Sequence, residues 1–400
     1  MSYSRSCMVI SMANEGNLPE VRFDGFVEPW EVRYLGDESE IHAGGDVNNT
    51  ILKNSGKYPV IANALTNNGI LGYYQNEYRI EAPAVTVTGR GDVGHAQARK
   101  TNFTPVVRLL ALKSKHNVDF LANAINMHGV MIESTGVPQL TTPQLAKYRL
   151  YFPELPEQIA IGNFFSNLDN TIALKKQQYE QTINIKKSML EKMFPKKGAD
   201  IPEIRFNEFT EPWTVSKLGD LAYFRRGSFP QPYGRAEWYD GEDSMPFVQV
   251  VDVAFNLALV DNTKQQISAL AQPKSVFVPK GSVVVTLQGS IGRVALTQYD
   301  SYVDRTLLIF EGYKADICKQ FWAYIVQELF DREKRVAPGG TIKTITKDAL
   351  TGFEVKIPSL PEQTAIGNFF HNLDTLIASR QQELKKLQNI KKACLSKMFV

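Results

Sequence analysis

The amino-acid sequence predicts an α+β fold: two mixed α/β domains separated by two long antiparallel coiled-coil helices, with a pseudo-two-fold internal repeat. Three observations predict it. The chain has 400 residues, more than one ordinary core holds, so two or three domains are expected. Residues 155–194 (LPEQIAIGNFFSNLDNTIALKKQQYEQTINIKKSMLEKMF) and 360–399 (LPEQTAIGNFFHNLDTLIASRQQELKKLQNIKKACLSKMF) align without a gap, 205 positions apart, with 24 of 40 residues identical. A second pair, PEVRFDGFVEPWEVRYLGD at 19–37 and PEIRFNEFTEPWTVSKLGD at 202–220, lies 183 positions apart. Two such matches mark a tandem duplication. The offsets differ by 22, so the second globular part carries about that many extra residues.

In chain order, residues 1–18 read as a loose tail, too short and too polar for a secretion signal. The first domain follows at 19–154, the first long helix at 155–199, the second domain at 200–359 and the second long helix at 360–400. Each domain reads as many short strands punctuated by Gly and Asn, among them Ala84-Val85-Thr86-Val87-Thr88 and Val283-Val284-Val285-Thr286-Leu287. Short helices are expected at 119–128 and about 316–331. The parts between the repeats, roughly 38–134 and 221–339, share little sequence. One framework thus carries two different surfaces.

The duplicated 40-mer predicts a helix. Pro156 and Pro361 suit a first turn, and Glu157 and Glu362 follow where the helix dipole favours acid. Apolar residues then step by four and three: Ile161, Phe165, Leu168 and Ile172, and again Ile366, Phe370, Leu373 and Ile377. This spacing predicts a coiled-coil seam. Lys175 and Arg380 interrupt it at matching positions, where a polar residue can set register. Lys186-Lys187 and Lys391-Lys392 read as a solvated face near the helix ends. Each helix would be about 57 Å long. Packed antiparallel, the pair would place one domain at each end of a rod, sized either as a ruler along nucleic acid or as a plain spacer.

Candidate nucleic-acid contacts come from polar loops. In the first domain these are Asn63, Thr66, Asn67 and Asn68, since Asn can bond adenine's edge at two points. In the second they are Arg225, Arg226 and Arg235, with forked donors for guanine or phosphate. A Val-rich strand leads into G-x-x-G in both domains, adding Arg90 in one copy and Gln288, Ser290 and Arg293 in the other. Glycine turns of this kind bring backbone N–H groups close to phosphates, and equally make ordinary hairpins.

Several classes are excluded or disfavoured. No Walker A loop, GxGxxG, HExxH or Asp/Asn-Pro-Pro-aromatic tetrapeptide occurs. Asp348 with Glu354-Val355-Lys356 offers an acid and E-x-K, read here as an exposed strand rather than a Mg²⁺ site. Three cysteines (Cys7, Cys318, Cys394) without CxxC argue against zinc or a disulfide framework and for a reducing cytoplasm. No run of eighteen apolar residues is present. Net charge is +3, and the two helices hold +6 of it, so the domains are not basic overall.

The order of domain, LPEQxAIGNFFxNLD helix, second domain and second such helix resembles the specificity subunit of type I restriction–modification enzymes. The F-x-x-PW-x-V-x-x-LG segment opening each domain (Pro29-Trp30, Leu35-Gly36; Pro212-Trp213, Leu218-Gly219) strengthens the resemblance, which spans about residues 19–400. It implies two target-recognition domains, each reading one half of a split, asymmetric site on double-stranded DNA. It also implies helices that set the unread gap and dock two copies of a methylation subunit, with a restriction/translocase subunit joining the complex. No cofactor is expected in this chain; S-adenosylmethionine, ATP and Mg²⁺ belong to the partner subunits. Two other readings stay open: an enzyme that reads its own site, and a scaffold with no DNA role.

The ruler reading has a direct test. Inserting four residues near Gln177 lengthens the helix by about 6 Å. That is one to two base pairs at roughly 3.4 Å each. The recognised gap should grow by one or two base pairs with unchanged half-sites, as read by methylation mapping; an unchanged gap in an active protein contradicts it.

Overall fold

The structure, a computed structural model, describes residues 8–10, 17–130, 138–254, 256–336 and 347–400. The chain forms two compact units, Met1–Gln177 with Gln381–Val400, and Gln178–Arg380. Both divisions fall inside the long helices, Leu155–Met193 and Leu360–Met398, rather than at the helix starts. Each unit thus holds a globular domain, the start of the helix that follows it and the end of the other long helix. Part of the expected tail is ordered: Met8–Ile10 pairs antiparallel with Val21–Phe23. Residues 1–7 and 11–16 of that tail lie outside the described residues.

The first unit contains an antiparallel sheet in the order Ser39–Ala43, Leu109–Ser114, Ala84–Thr88, Ala96–Arg99. A smaller sheet joins Ile70–Tyr74, Tyr58–Ile61 and Thr104–Pro105. The run Ala84–Thr88 is buried at every position, because a layer covers each face. Val85 and Val87 pack toward the helix Val118–His128, whereas Ala84 joins Ile61, Ile80 and Phe103. Alternation of side chains across a strand sends these two sets to opposite faces.

The second unit repeats this arrangement. Its main sheet runs Ala222–Arg226, Leu307–Tyr313, Val283–Thr286, Val294–Leu296, with Lys319–Val336 as the covering helix. Its smaller sheet has Gln265–Ile267, Met245–Val248, Ser301–Val303 and one more strand, Val276–Val278. That strand accounts for part of the extra length. The two domains therefore share a fold although the sequences between the repeats diverge: strand pairing runs through the backbone, and the central strands stay buried although their residues differ.

The duplicated motifs build the joint between each domain and its helix. Arg22 sends two hydrogen bonds to Glu157 (2.6 and 2.7 Å), and both side chains are almost fully buried. Arg205 repeats this on Glu362 at 2.7 Å for both bonds. Glu157 and Glu362 are thus ion-pair partners as well as first-turn acids. The following Gln158 donates to Pro153 O and accepts from Asn117 N, at the start of the covering helix. Gln363 does the same with Pro358 O and Cys318 N. Glycine at 162 is required by close approach: a Cβ there would lie 2.2 Å from Asn117 Oδ1.

The expected seam is only partly a seam. Ile161 and Phe165 are buried in the first domain's core, and Ile366 and Phe370 in the second's. The stripe's first turns bind the domain. Leu168, Ile172, Leu373 and Ile377 are half-buried further along. The helix segments within each unit run antiparallel, as the pairing order shows. In the first unit Asp169 meets Lys391 (2.5 Å) and Lys175 meets Glu383 (2.8 Å). In the second, Lys186 meets Asp374 (2.5 Å), and Arg380 donates to Gln178 O (2.7 Å) and to the Thr182 hydroxyl. Lys186 and Lys391 are therefore ion-paired, not part of a solvated face; Lys187 and Lys392 remain exposed.

The helix ends close the cores. Phe399 lies among Trp30, Phe120 and Phe165, with ring centroids 5.5–6.2 Å apart. Phe194 sits equivalently against Trp213, Phe321 and Phe370 at 5.9–6.0 Å. Removing a fully buried Phe ring typically costs about 3–5 kcal/mol, and removing the half-buried Phe399 ring should cost somewhat less. Phe399→Ala should therefore strip hydrogen-exchange protection from Val118–His128 while Lys319–Val336 keeps its own. Equal loss in both helices, or none, contradicts this division of the core.

Candidate nucleic-acid interface

Three connections meet at one end of each main sheet, because the strands that lead into them are adjacent. In the first unit they are Gly44–Gly45 after Ser39–Ala43, the glycine turn after Ala84–Thr88, and Val106–Arg108 before Leu109–Ser114. Gly44 N donates to Leu109 O (2.8 Å) and Gly89 N to Arg108 O (2.9 Å). In the second, Gly227 N donates to Leu307 O (3.1 Å) and Leu287 N to Thr306 O (2.8 Å).

The two glycine turns have the same internal wiring. Thr88 donates its hydroxyl to Asp92 O and accepts from His95 N (3.0 Å). Thr286 donates to Ser290 O (2.5 Å) and accepts from Arg293 N (3.0 Å). Gly94 and Gly292 have φ of 85° and 80°, a region that disfavours side chains. A Cβ on Gly94 would also meet Val130 Cγ2 at 2.1 Å. The glycines thus let the turn close against the covering helix.

In the first unit, the segment from Asn63 to Gly69 crosses the sheet and is tied at both ends. Asn63 accepts from Gly89 N (2.7 Å) and donates to Arg90 O (2.7 Å). Its amide is committed to the backbone, so Asn63 braces the loop instead of presenting a base-reading group. Thr66, Asn67 and Asn68 form an exposed crest. Asn67 and Asn68 adopt φ of 50° and 53°, which Asn tolerates better than most residues. At the far end Arg99, half-buried, donates to Asn68 O (3.0 Å) and Thr86 Oγ1 (2.9 Å). Arg90 is half-buried on the turn, and Arg108, exposed at φ 75°, stands beside it.

In the second unit the rim is arginine-rich and aromatic. Arg225 and Arg226 are exposed on the edge strand, and Arg225 Nη1 lies 3.7 Å from Glu311. Gln288 is exposed on the turn. Ser290 is half-buried, with its carbonyl taken by Thr286. Arg293 packs behind the turn, its Nη1 3.4 Å from Val253 O, so its guanidinium supports the turn. Arg235 is exposed and paired with Glu237 at 3.1 Å. Sequence reasoning missed Arg305, whose guanidinium lies 5.5 Å over the half-exposed Tyr233 ring, and Gln249, which donates to the Tyr233 hydroxyl (3.2 Å). It also missed Arg99 and Arg108. Only the pairing of strands brings Arg108 and Arg305 to the rim and sets Arg99, opposite Ala84, beneath the far end of the crest segment.

Electrostatics single out two groups. Burial pulls the Arg99 guanidinium down to about 10, still charged at neutral pH. Burial, then the nearby Arg99 and Lys391, lowers the His95 imidazole from its ordinary value. Among the described residues no group of His, Cys, Asp and Glu is placed to hold a metal ion. Glu354–Ile357 is a strand, and Lys356 is bound to Asp200 at 3.0 Å; the side chain of Asp348 lies outside the described residues. No helix among them is long and apolar enough to cross a membrane.

Comparison with known proteins agrees with this architecture. The family model described as the type I restriction modification DNA specificity domain matches residues 27–184 and 210–389. The MjaX type I restriction enzyme specificity subunit of Methanocaldococcus jannaschii is 25% identical over 260 residues, 63% of this chain and 59% of its own. The MjaVIII specificity subunit of the same organism is 23% identical over 66% of this chain and 64% of its own. The matches thus span less than two thirds of these two relatives. A type I specificity subunit of Mycoplasma pneumoniae is 24% identical over 88% of this chain and 93% of its own. Among solved structures, the S subunit of a type I restriction-modification system from M. genitalium superposes with a TM-score of 0.69 at 14% identity, covering 96% of this chain and 99% of that one.

Proposed function

Since this chain belongs to the family of type I restriction–modification DNA specificity proteins, we propose that each of its domains reads one half of a bipartite, asymmetric DNA site. The observation that carries this is the contrast between the rims. Both domains use the same sheet order and the same Thr-anchored glycine turn. One nevertheless presents an Asn-Thr crest, and the other Arg225, Arg226, Gln288 and the Tyr233–Arg305 pair. A shared scaffold with unlike reading groups fits unlike half-sites: amide side chains suit adenine, and forked guanidinium donors suit guanine or phosphate.

The long helices set the gap between half-sites in this reading, and the pseudo-two-fold framework offers matching surfaces to two copies of a methylation subunit. A restriction/translocase subunit joins through that complex. The chain itself is non-catalytic in this proposal. S-adenosylmethionine, ATP and Mg²⁺ serve the partner subunits, and the assembly works in the cytoplasm.

Methylation mapping by single-molecule sequencing, in cells co-expressing this chain and a cognate methylation subunit, tests the proposal. The expected result is a split, asymmetric motif with methyladenine in both halves, lost when this chain is deleted. A soluble, associated pair that deposits no methylation contradicts it. Turnover of DNA by the purified chain alone, with Mg²⁺ or S-adenosylmethionine, would support instead an enzyme that reads its own site.

A further inference from the structure

Arg99 is a half-buried cation that, among the described residues, has no carboxylate within ion-pair distance. A guanidinium carries five N–H donors. Two of Arg99's hydrogen bonds are to neutral oxygens, Thr86 Oγ1 and Asn68 O. Among the described residues the rest of its fork has no protein acceptor. Burying a charge without a counter-charge is costly, and the usual resolution is pairing with an anion.

The second domain removes this feature at the same place in its fold. With the Thr88 and Thr286 anchors aligned, Thr86 corresponds to Val284, and strand register puts Thr297 at the position of Arg99. Val284 packs in an apolar cluster with Val248, Val253, Ala295 and Ile309. Thr297 is buried and donates to Pro279 O (2.9 Å). An ordinary core solution is therefore available to this fold, and the first domain departs from it to keep a charge under the exposed Asn67–Asn68 crest. Gln97, on the same sheet face, reaches Asn68 Oδ1 at 3.5 Å.

We propose that Arg99 receives a backbone phosphate of the DNA half-site read by the first domain, holding the Asn67–Asn68 crest in register with the bases. This rests on the DNA-recognition reading above. Its rival is a purely structural arginine that braces Asn68 O and never meets an anion.

Salt dependence separates the two. Each phosphate neutralised adds about 0.9 to the slope of log K against log salt on duplex DNA. The complex of the full chain with its methylation subunits is titrated onto its mapped site, as wild type, Arg99→Gln and Arg99→Lys. Arg99→Gln should lower the slope by about 0.9, so its deficit shrinks about three- to four-fold between 50 and 200 mM salt. Arg99→Lys, which keeps the charge, should hold the wild-type slope even if it binds more weakly. An Arg99→Gln slope equal to wild type, or an Arg99→Lys slope that has fallen by the same amount, overturns the proposal while leaving DNA recognition intact. A wild-type complex with no preference for a bipartite site overturns both.

Discussion

A buried arginine–carboxylate pair, used twice, is the constraint on which the remainder of this structure depends. Arg22 on Glu157 and Arg205 on Glu362 each join the segment that opens a domain to the first turn of the long helix that leaves it. Buried charges are stable only when paired with good geometry, and two parallel N–H···O bonds from one guanidinium to one carboxylate supply it. The copies are not identical: Trp213 Nε1 adds a third bond to Glu362 (3.2 Å), whereas the Trp30 indole N–H has no partner among the described residues. Around this pair the glutamine after each glutamate binds the backbone N–H of the residue just before the covering helix, and the phenylalanine at the other long helix's end packs against the core.

This joint explains why one framework carries two unlike surfaces. What fixes the sheet end lies outside the crest and the edge strand: the Thr88 and Thr286 hydroxyls, positive-φ glycines and hydrogen bonds between neighbouring strand ends. None of these needs a particular residue at the crest or on the edge strand. Arg225, Arg226 and Gln288 can change without disturbing the core beneath them, and Asn67 and Asn68 can change to residues that tolerate their positive φ. In the proposed reading, that freedom lets DNA specificity vary while the fold is kept.

Much of this was legible in the sequence. Duplicated segments gave away the two-domain plan, and the helix periodicity located both long helices; the short helices expected at 119–128 and about 316–331 are the covering helices Val118–His128 and Lys319–Val336. The residues' partners were not legible. Arg22 and Glu157 are 135 positions apart, and Arg205 and Glu362 are 157 apart, so first-turn acid was the only reading local chemistry offered. The apolar stripe looked like a seam throughout because periodicity records a buried face and not what buries it; Ile161 and Phe165 belong to a domain core. Asn63 looked like a base reader because its amide can serve a base or a backbone equally well. Arg99 escaped notice because its meaning lies in what surrounds it: a missing carboxylate is a fact of three dimensions.

The central claim, that the buried pair holds each domain to its helix, is tested most directly by a double-mutant cycle on Arg22→Met and Glu157→Met. Hydrogen-exchange protection of Val118–His128 reports the first unit, with Lys319–Val336 as the internal reference. Each single change should cost the first unit about 3–5 kcal/mol, because it strands a buried charge, and the double change should cost much less than the sum. Single variants indistinguishable from wild type, or costs that simply add, would contradict the account.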